Sequence, residues 1–266
     1  MSFLTDLTLG RYYPTGSPVH RLDPRVKMVG ALALLVTVLV TQSPASYAFL
    51  TLSLIALVIL SRLSAGFLWR NLASLKWLLV VVFVMHGLLT RGTPLLSFVP
   101  WLSREGILVG AVFAWRVGLM VSVATVLTAT TSPVDLGDGI ERLLRPFERL
   151  GLPVHELAMV SIIALRFVPT LLDEAGRIIK AQMGRGVSFE GGLVARARSA
   201  VPILVPLFAS AFRRADDLAL AMDARCYRGA AGRTKYVELR LDGDDAVGFI
   251  VVGFLVACTI VISSLL

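Results

Sequence analysis

Runs of apolar residues that are too long for the core of a soluble domain constrain this chain more than any other feature. A helix needs about 20 mainly apolar residues to cross a membrane. Five stretches are predicted to form transmembrane helices: roughly Val26–Ser43, Ser46–Leu63, Leu72–Thr90, Gly106–Thr130 and Ala246–Leu266. Lys76 interrupts the third stretch, where its long side chain can extend to the membrane interface. The expected fold class is therefore all-α, a polytopic membrane protein with about five transmembrane helices.

The composition excludes several classes of protein. Of the 266 residues, 56% are hydrophobic and 17% are charged, whereas about 25% of residues in an average soluble domain are charged. A soluble enzyme, a disordered chain and a disulfide-stabilised secreted module are therefore excluded. The two cysteines and three histidines have no metal-ligand spacing, so we expect no metal site. The first twenty residues contain no apolar stretch of the signal-peptide type, so we expect no cleavage.

The distribution of charge predicts the orientation of the helices. Residues 1–132 carry 10 Lys or Arg and 3 Asp or Glu, whereas residues 133–245 carry 16 and 15. Basic residues precede the first predicted span and flank the second and third, and cytoplasmic loops are enriched in such residues. The N-terminus and residues 132–245 are therefore expected in the cytoplasm, with Leu266 outside a cell membrane that the chain crosses several times. The evenly mixed charge of residues 133–245 is unlike a phosphate-binding patch, so no nucleic-acid partner is expected.

The segment between the fourth and fifth predicted spans has a different pattern. Residues 1–131 and 246–266 form the predicted transmembrane regions, and residues 132–245 are predicted to form a cytoplasmic domain of about three amphipathic helices. These helices are expected at about 133–150, 155–185 and 195–225. The two longer helices begin apolar and become charged, so one end of each can lie against the bilayer while the other projects into the cytosol.

The first of these amphipathic helices has recognisable start and stop signals. Thr131 or Ser132 is expected to cap it, with Pro133 at its first helical position, where the missing N–H has no cost. Pro146 is expected to bend the helix because proline cannot donate the helical hydrogen bond. Gly151 is expected to end it.

The two long helices end alike. The first end contains Gly184, Arg185 and Gly186, and the second, forty positions later, contains Ala224, Arg225 and Cys226. Small neighbours leave each guanidinium free to enter a groove and to pair with carboxylates. An arginine at a helix end can also be only a favourable partner of the helix dipole, and this alternative stays open for either position alone. Two copies on matching helices favour a dimeric or two-headed partner with one groove for each arginine.

A stripe of small residues marks the fourth predicted span. Gly106, Gly110, Ala114 and Gly118 lie four positions apart, on one face of a helix that another helix can approach closely. Small residues are also frequent in membrane helices, so the stripe alone does not identify an interface. Arg116 in the same span is expected to face a protein or water-filled interior, or to reach for a headgroup, because a charge that faces lipid is unfavourable. Its role stays open.

The sequence contains no constellation that indicates catalysis. It has no G-x-x-x-x-G-K-[ST] phosphate-binding loop, and no Ser/His/Asp or Cys/His grouping suggests a nucleophile. We therefore expect no enzymatic activity and no cofactor bound by this chain itself.

Five short motifs follow one another along about 210 residues. They are Leu22-Asp23-Pro24-Arg25-Val26-Lys27, Leu165-Arg166-Phe167-Val168-Pro169-Thr170, Ala181-Gln182 leading to Gly184-Arg185-Gly186, Ala221-Met222-Asp223-Ala224-Arg225-Cys226-Tyr227-Arg228-Gly229, and Gly232-Arg233-Thr234. Each motif is loose by itself. In this order and spacing they resemble the transmembrane T component of energy-coupling factor (ECF) transporters, the EcfT family.

The resemblance implies a non-catalytic scaffold that joins two ATP-binding-cassette (ABC) ATPases to a small membrane S component, which captures a vitamin or a metal ion. The ATPases, an EcfA-type heterodimer or homodimer, would bind ATP and Mg²⁺. The arginines of two Ala-Arg-Gly-like motifs would dock in grooves of the ATPases, and here they are Arg185 and Arg225. The residues that would support the docking are Gly184, Gly186, Ala224 and Cys226, with Ala181, Gln182, Asp223, Arg228 and Gly229 nearby.

The resemblance also implies how the scaffold works. Movement of the ATPases would rock the coupling helices and topple the S component, which would contact the apolar faces of residues 133–170 and 195–212. Neither the cargo nor whether the S component is dedicated or shared follows from the sequence. The alternative is a permease subunit of an ordinary ABC importer with its own substrate pathway, although such a subunit normally has a single cytoplasmic coupling loop.

Overall fold

Helices make up most of the chain that the computed structural model describes, namely residues 15–90, 93–96, 99–151, 153–187, 192–229 and 242–265. Their elements are α1 (Pro18–Arg21), α2 (Pro24–Val40), α3 (Pro44–Leu60), α4 (Ala65–Ser74), α5 (Lys76–Leu89), β1 (Pro94–Leu96), β2 (Val99–Ser103), α6 (Arg104–Thr130), α7 (Pro133–Leu144), a 3₁₀ turn (Arg145–Leu150), α8 (Val154–Gly184), α9 (Leu193–Ala224) and α10 (Gly243–Leu265). The predicted helical fold class is confirmed. The short antiparallel pair of β1 and β2 is an element that the sequence did not predict.

The chain divides into two compact units. The bundle unit comprises residues 15–139 and 242–265, and the long-helix unit comprises the described residues between 140 and 229. In the bundle unit, α6 packs against α2, α3, α4 and α5, while α10 packs against α2 and α3. In the long-helix unit, α8 packs against α9.

The lengths of the apolar helices show which of the predicted spans are long enough to cross a membrane. Among the described residues, α6, α8 and α10 are each long and apolar enough to cross a membrane, and α4 with α5 reaches that size only as a pair bent by 57°. Helices α2 and α3 have 17 residues each, which corresponds to about 25 Å, somewhat less than the roughly 30 Å of a hydrocarbon core. Helix α8 coincides with the second predicted cytoplasmic helix, whose placement outside the membrane stays a prediction.

The third predicted span, Leu72–Thr90, is corrected from one helix to two. Helix α4 carries Arg70, Asn71 and Ser74 and is amphipathic, whereas α5 is almost entirely apolar. The Ser74 hydroxyl donates to the Arg70 carbonyl at 2.9 Å, and such back-bonding often bends helices. The break at Leu75 lets the amphipathic and the apolar helix run in different directions.

Polar groups tie together one end of the bundle unit. Asp245, in the first turn of α10, is buried and accepts hydrogen bonds from the amides of Asp23 and Asp242 at 2.7 and 2.9 Å. The Lys27 ammonium donates to the Thr130 carbonyl at 3.1 Å. The beginnings of α2 and α10 and the end of α6 are therefore joined. Since buried polar groups are costly without partners, these bonds specify how the three helices meet.

Arg116 joins the other end of α2 to α3 and α6. Its guanidinium Nε donates to the Tyr47 hydroxyl at 2.8 Å, and Nη2 donates to the Thr41 carbonyl at 2.8 Å. The guanidinium carbon also lies 5.0 Å from the centroid of the Phe113 ring, within the range of a cation–π interaction. No described carboxylate lies within ion-pair distance of this arginine. Arg116 therefore faces a protein interior of carbonyl, hydroxyl and aromatic groups.

The interior between these two ends is apolar. One cluster is formed by Val38, Tyr47, Leu50 and Leu119. An apolar cavity of about 120 Å³ lies among α2, α3, α6 and α10. The bundle unit therefore has a core of its own, closed by polar bonds at both ends.

The first predicted amphipathic helix is shorter than expected. The Ser132 hydroxyl accepts a hydrogen bond from the Asp135 amide at 3.1 Å, so the predicted cap is confirmed for Ser132. Pro146 lies in the 3₁₀ turn that follows α7, because a proline cannot continue the α-helical hydrogen-bond pattern. Gly151, with φ of 84°, ends the turn in the left-handed region that favours glycine.

Candidate functional site

The C-terminal end of α8 is a Schellman motif centred on Arg185. The Val187 amide donates to the Gln182 carbonyl at 3.1 Å, and the Gly186 amide donates to the Met183 carbonyl at 3.0 Å. Gly186 has φ of 84°, which a glycine adopts without the steric cost of a side chain. The motif turns the chain away from the helix axis directly after Arg185.

The end of α9 repeats this geometry at Arg225. The Tyr227 amide donates to the Met222 carbonyl at 3.1 Å, and the Cys226 amide donates to the Asp223 carbonyl at 2.9 Å. The backbone angles of the two arginines agree closely, with φ and ψ of −89° and 7° at Arg185 and −89° and 10° at Arg225. Cys226 has φ of 56° and thus adopts the left-handed conformation that Gly186 has in α8.

Both arginine side chains are exposed, and none of the described residues forms an ion pair with either one. Gly184 has open space where a side chain would begin, and Ala224 is exposed. Each helix therefore ends in an uncovered guanidinium with small neighbours, a group that can form bidentate hydrogen bonds with a carboxylate. The remaining carbonyl groups of each helix end add negative potential, so these arginines are also favourably placed along the helix dipole.

Helices α8 and α9 run antiparallel to one another. Near the end of α8, the Gln182 side chain donates from Nε2 to the Pro202 carbonyl at 3.3 Å. Further from this end, the Glu174 carboxylate lies 3.6 Å from the Arg214 guanidinium. As the residue number increases along α9, the residue number of the contacted position on α8 therefore decreases.

This pairing places the two arginines at opposite ends of the pair. Arg185 lies three residues beyond Gln182 at one end of the pair, whereas Arg225 lies 23 residues beyond Pro202 at the other end. At 1.5 Å per residue, these two lengths add to a separation of about 39 Å along the pair. The structure therefore does not bring them together into one site.

The other predicted site residues lie around these two ends. Ala181, Asp223 and Arg228 are exposed, and Gly229 has φ of 80°. Gln182 is half-buried against α9. The Gly232-Arg233-Thr234 motif lies outside the described residues.

Comparisons with known proteins identify the family. The family model of the cobalt transport protein CbiQ matches residues 15–236. The chain is 48% identical to the energy-coupling factor transporter transmembrane protein EcfT of Acidaminococcus fermentans over 92% of both chains. It is 45% identical to the EcfT protein of Thermosediminibacter oceani over 95% of this chain and 96% of the relative, and 42% identical to that of Bacillus subtilis over 91% and 92%. The chain belongs to the EcfT family. It is a membrane component of a transporter.

In this EcfT-family chain, the stripe of small residues on α6 is divided between different surroundings. A Cβ atom added at Gly110 would lie 2.7 Å from the Phe83 carbonyl oxygen, and one added at Gly106 would lie 2.8 Å from the carbonyl oxygen of His86. Both positions therefore face the backbone of α5. At Gly118 the nearest atom would be a Leu72 side-chain carbon at 3.7 Å, and Ala114 is half-buried.

Several polar contacts between described residues of this EcfT-family chain were not predicted from its sequence. Examples are the bond between Asp245 and the Asp23 amide, the bonds of Arg116, and the bond from Gln182 to α9. The only feature of the sequence that indicates these contacts is an ionisable or amide side chain within an apolar run or next to one. Such a signal indicates a partner without naming it.

Proposed function

We propose that this chain is the non-catalytic scaffold of an ECF-type ABC importer, which couples ATP hydrolysis by two ATPase subunits to movement of a substrate-binding S component. The observation that carries the proposal is the pair of exposed arginines on matching Schellman motifs. An importer driven by two ATPases offers two equivalent grooves, and the chain offers two equivalent ends. The proposed location is the cell membrane, with residues 132–245 in the cytoplasm.

The separation of the two ends supports a two-headed partner. Arg185 and Arg225 lie about 39 Å apart by the helical rise, which exceeds the diameter of about 30 Å of a small domain. One groove on one subunit does not span that distance, whereas grooves on two adjacent ATPase subunits do. ATP and Mg²⁺ would bind to those subunits, and transmission would depend on the docked guanidinium groups.

The exposed apolar side of α9 supports contact with a second kind of partner. Val205, Phe208 and Phe212 are 64%, 60% and 69% exposed and follow helical spacing. A contiguous apolar surface of this kind normally marks an interface with protein or lipid. We propose that the S component, which would carry the vitamin or metal ion, contacts this surface together with the apolar first half of α8.

Charge reversal at the two ends tests the docking of the ATPases. Changing both Arg185→Glu and Arg225→Glu should abolish co-purification of the ATPases, because each groove would then face a like charge. A matched control is Lys180→Glu with Arg213→Glu, which makes the same change in net charge at exposed positions within the helices. The control should retain the ATPases, and both double variants should insert in the membrane to the same extent.

Two results would contradict the proposal. One is recovery of the ATPases with the double arginine variant at the yield of the unmodified chain. The other is a purified complex that transports substrate with the ATPases but without an S component, since that result would instead support an ordinary ABC permease with its own pathway.

A further inference from the structure

The two prolines of α9 leave backbone carbonyl groups without their helical partners. In an α-helix, the carbonyl of residue i accepts from the amide of residue i+4. Pro206 has no N–H, so the carbonyl of Pro202 has no helical donor. A carbonyl freed in this way needs another donor, because a buried acceptor that lacks one is unfavourable.

Gln182 of α8 supplies that donor. Its Nε2 atom lies 3.3 Å from the Pro202 carbonyl oxygen, and its side chain is half-buried between the two helices. The backbone carbonyl of the same residue accepts the amides of Arg185 and Val187 in the Schellman motif. Gln182 therefore closes the end of α8 with its backbone and binds α9 with its side chain.

We propose that Gln182 is a positioning residue, which fixes the separation of Arg185 and Arg225 by donating to the carbonyl that Pro206 leaves open. Another polar contact between the helices joins Glu174 and Arg214 at 3.6 Å. This contact is partly exposed, so solvent weakens it. The bond from Gln182 lies three residues from Arg185 and constrains the direction of that end directly. The consequence for ATPase docking rests on the proposed function, whereas the bond and the separation do not.

The proposal is tested by measuring the separation of the two ends in the full-length chain in lipid nanodiscs. Spin labels at Cys226 and at a Met183→Cys substitution, in a Cys258→Ala background, report the distance distribution by double electron–electron resonance. Both labelled positions are exposed. Gln182→Met keeps the unbranched side chain and a similar helix propensity but removes the donor.

Gln182→Met should broaden the distribution. The ratio of molecules at the original distance to those at other distances should fall by roughly threefold to tenfold, the worth of one hydrogen bond. Combination with Pro206→Ala separates this bond from general packing, because an alanine at position 206 restores the helical N–H to the Pro202 carbonyl. In the Pro206→Ala background, Gln182→Met should change the distribution less than in the original background.

Two outcomes would overturn the proposal: no change with Gln182→Met, or an equal change in both backgrounds. Co-purification of the ATPases, measured on the same variants, separates this proposal from the proposed function. If the unmodified chain fails to bind ATPases while the distance measurements behave as described, the proposed function is wrong and the positioning role of Gln182 stands.

Discussion

The close approach of α5 to α6 gives a prediction that depends on a single added carbon atom. At Gly110, a Cβ atom would lie 2.7 Å from the Phe83 carbonyl oxygen, whereas ordinary van der Waals contact begins at 3.4 Å. The two helices would have to separate locally by the 0.7 Å difference between these values. At Gly118, on the same face of α6, the nearest atom would lie 3.7 Å away, so no movement is needed.

The expected magnitude follows from comparing Gly110→Ala with Gly118→Ala. Both substitutions are in the interior of one helix, so both gain up to about 1 kcal/mol of helix propensity. This gain cancels in the comparison. Overpacking against a backbone costs about 1–3 kcal/mol, and only Gly110→Ala has this cost. The difference between the variants should therefore be about 1–3 kcal/mol, with Gly118→Ala at least as stable as the unmodified chain.

Thermal unfolding of the detergent-purified variants measures this difference. In a chain of this size, each kcal/mol shifts the midpoint by roughly 2–4 °C, so Gly110→Ala should unfold several degrees below Gly118→Ala. Gly106→Ala should behave like Gly110→Ala, because its Cβ would also lie under 3.0 Å from α5 carbonyl oxygens. Equal midpoints for Gly110→Ala and Gly118→Ala would refute the reasoning that α5 requires glycine at its contact.

Two further predictions concern the end of α9 and the hydrogen bonds of Arg116 in the bundle unit. Cys226→Gly should remove a left-handed backbone strain of about 1 kcal/mol and therefore slow amide hydrogen exchange in the last turn of α9 about fivefold. Gly186→Ala should have the opposite effect and speed exchange at the end of α8. Faster exchange in Cys226→Gly would contradict the role of the positive φ at Cys226. Arg116→Gln should lower the free energy of unfolding by about 1.5–3 kcal/mol, the range for hydrogen bonds to a charged group. The control Arg104→Gln, at the exposed start of α6, should change the midpoint of thermal unfolding little. Similar losses of stability in both variants would show that the bonds of Arg116 to Tyr47 and Thr41 are not the cause.

Features that depend on local chemistry were predictable from the sequence. Ser132 caps α7 because its hydroxyl is next to the first free amides of that helix. The glycine at position 186 indicates the end of α8, since it reads as a stop signal without knowledge of any neighbour. The long helices and the apolar runs likewise follow from periodicity within one segment.

Features that depend on how helices meet were not predictable. Gly110 and Gly118 are equivalent in the sequence pattern, and only the path of α5 distinguishes them. Asp245 and the Asp23 amide are 222 positions apart, so nothing in either segment names the other. The break at Leu75 has no proline or glycine to indicate it. It coincides with a change from an amphipathic to an apolar helix. A search for one long apolar run does not detect such a change.

The small number of buried side chains in the long-helix unit explains why this unit is a candidate for coupling. None of the described side chains of α9 is buried, whereas the bundle unit encloses two apolar clusters. Covering Val205, Phe208 and Phe212 would contribute about 5–9 kcal/mol at 1.5–3 kcal/mol for each side chain, which is comparable to the net stability of a whole domain. A helix pair with so little interior depends on lipid or a partner protein for its conformation. Binding at that surface and the angle between α8 and α9 are therefore thermodynamically linked, because whatever covers α9 favours the arrangement that it fits.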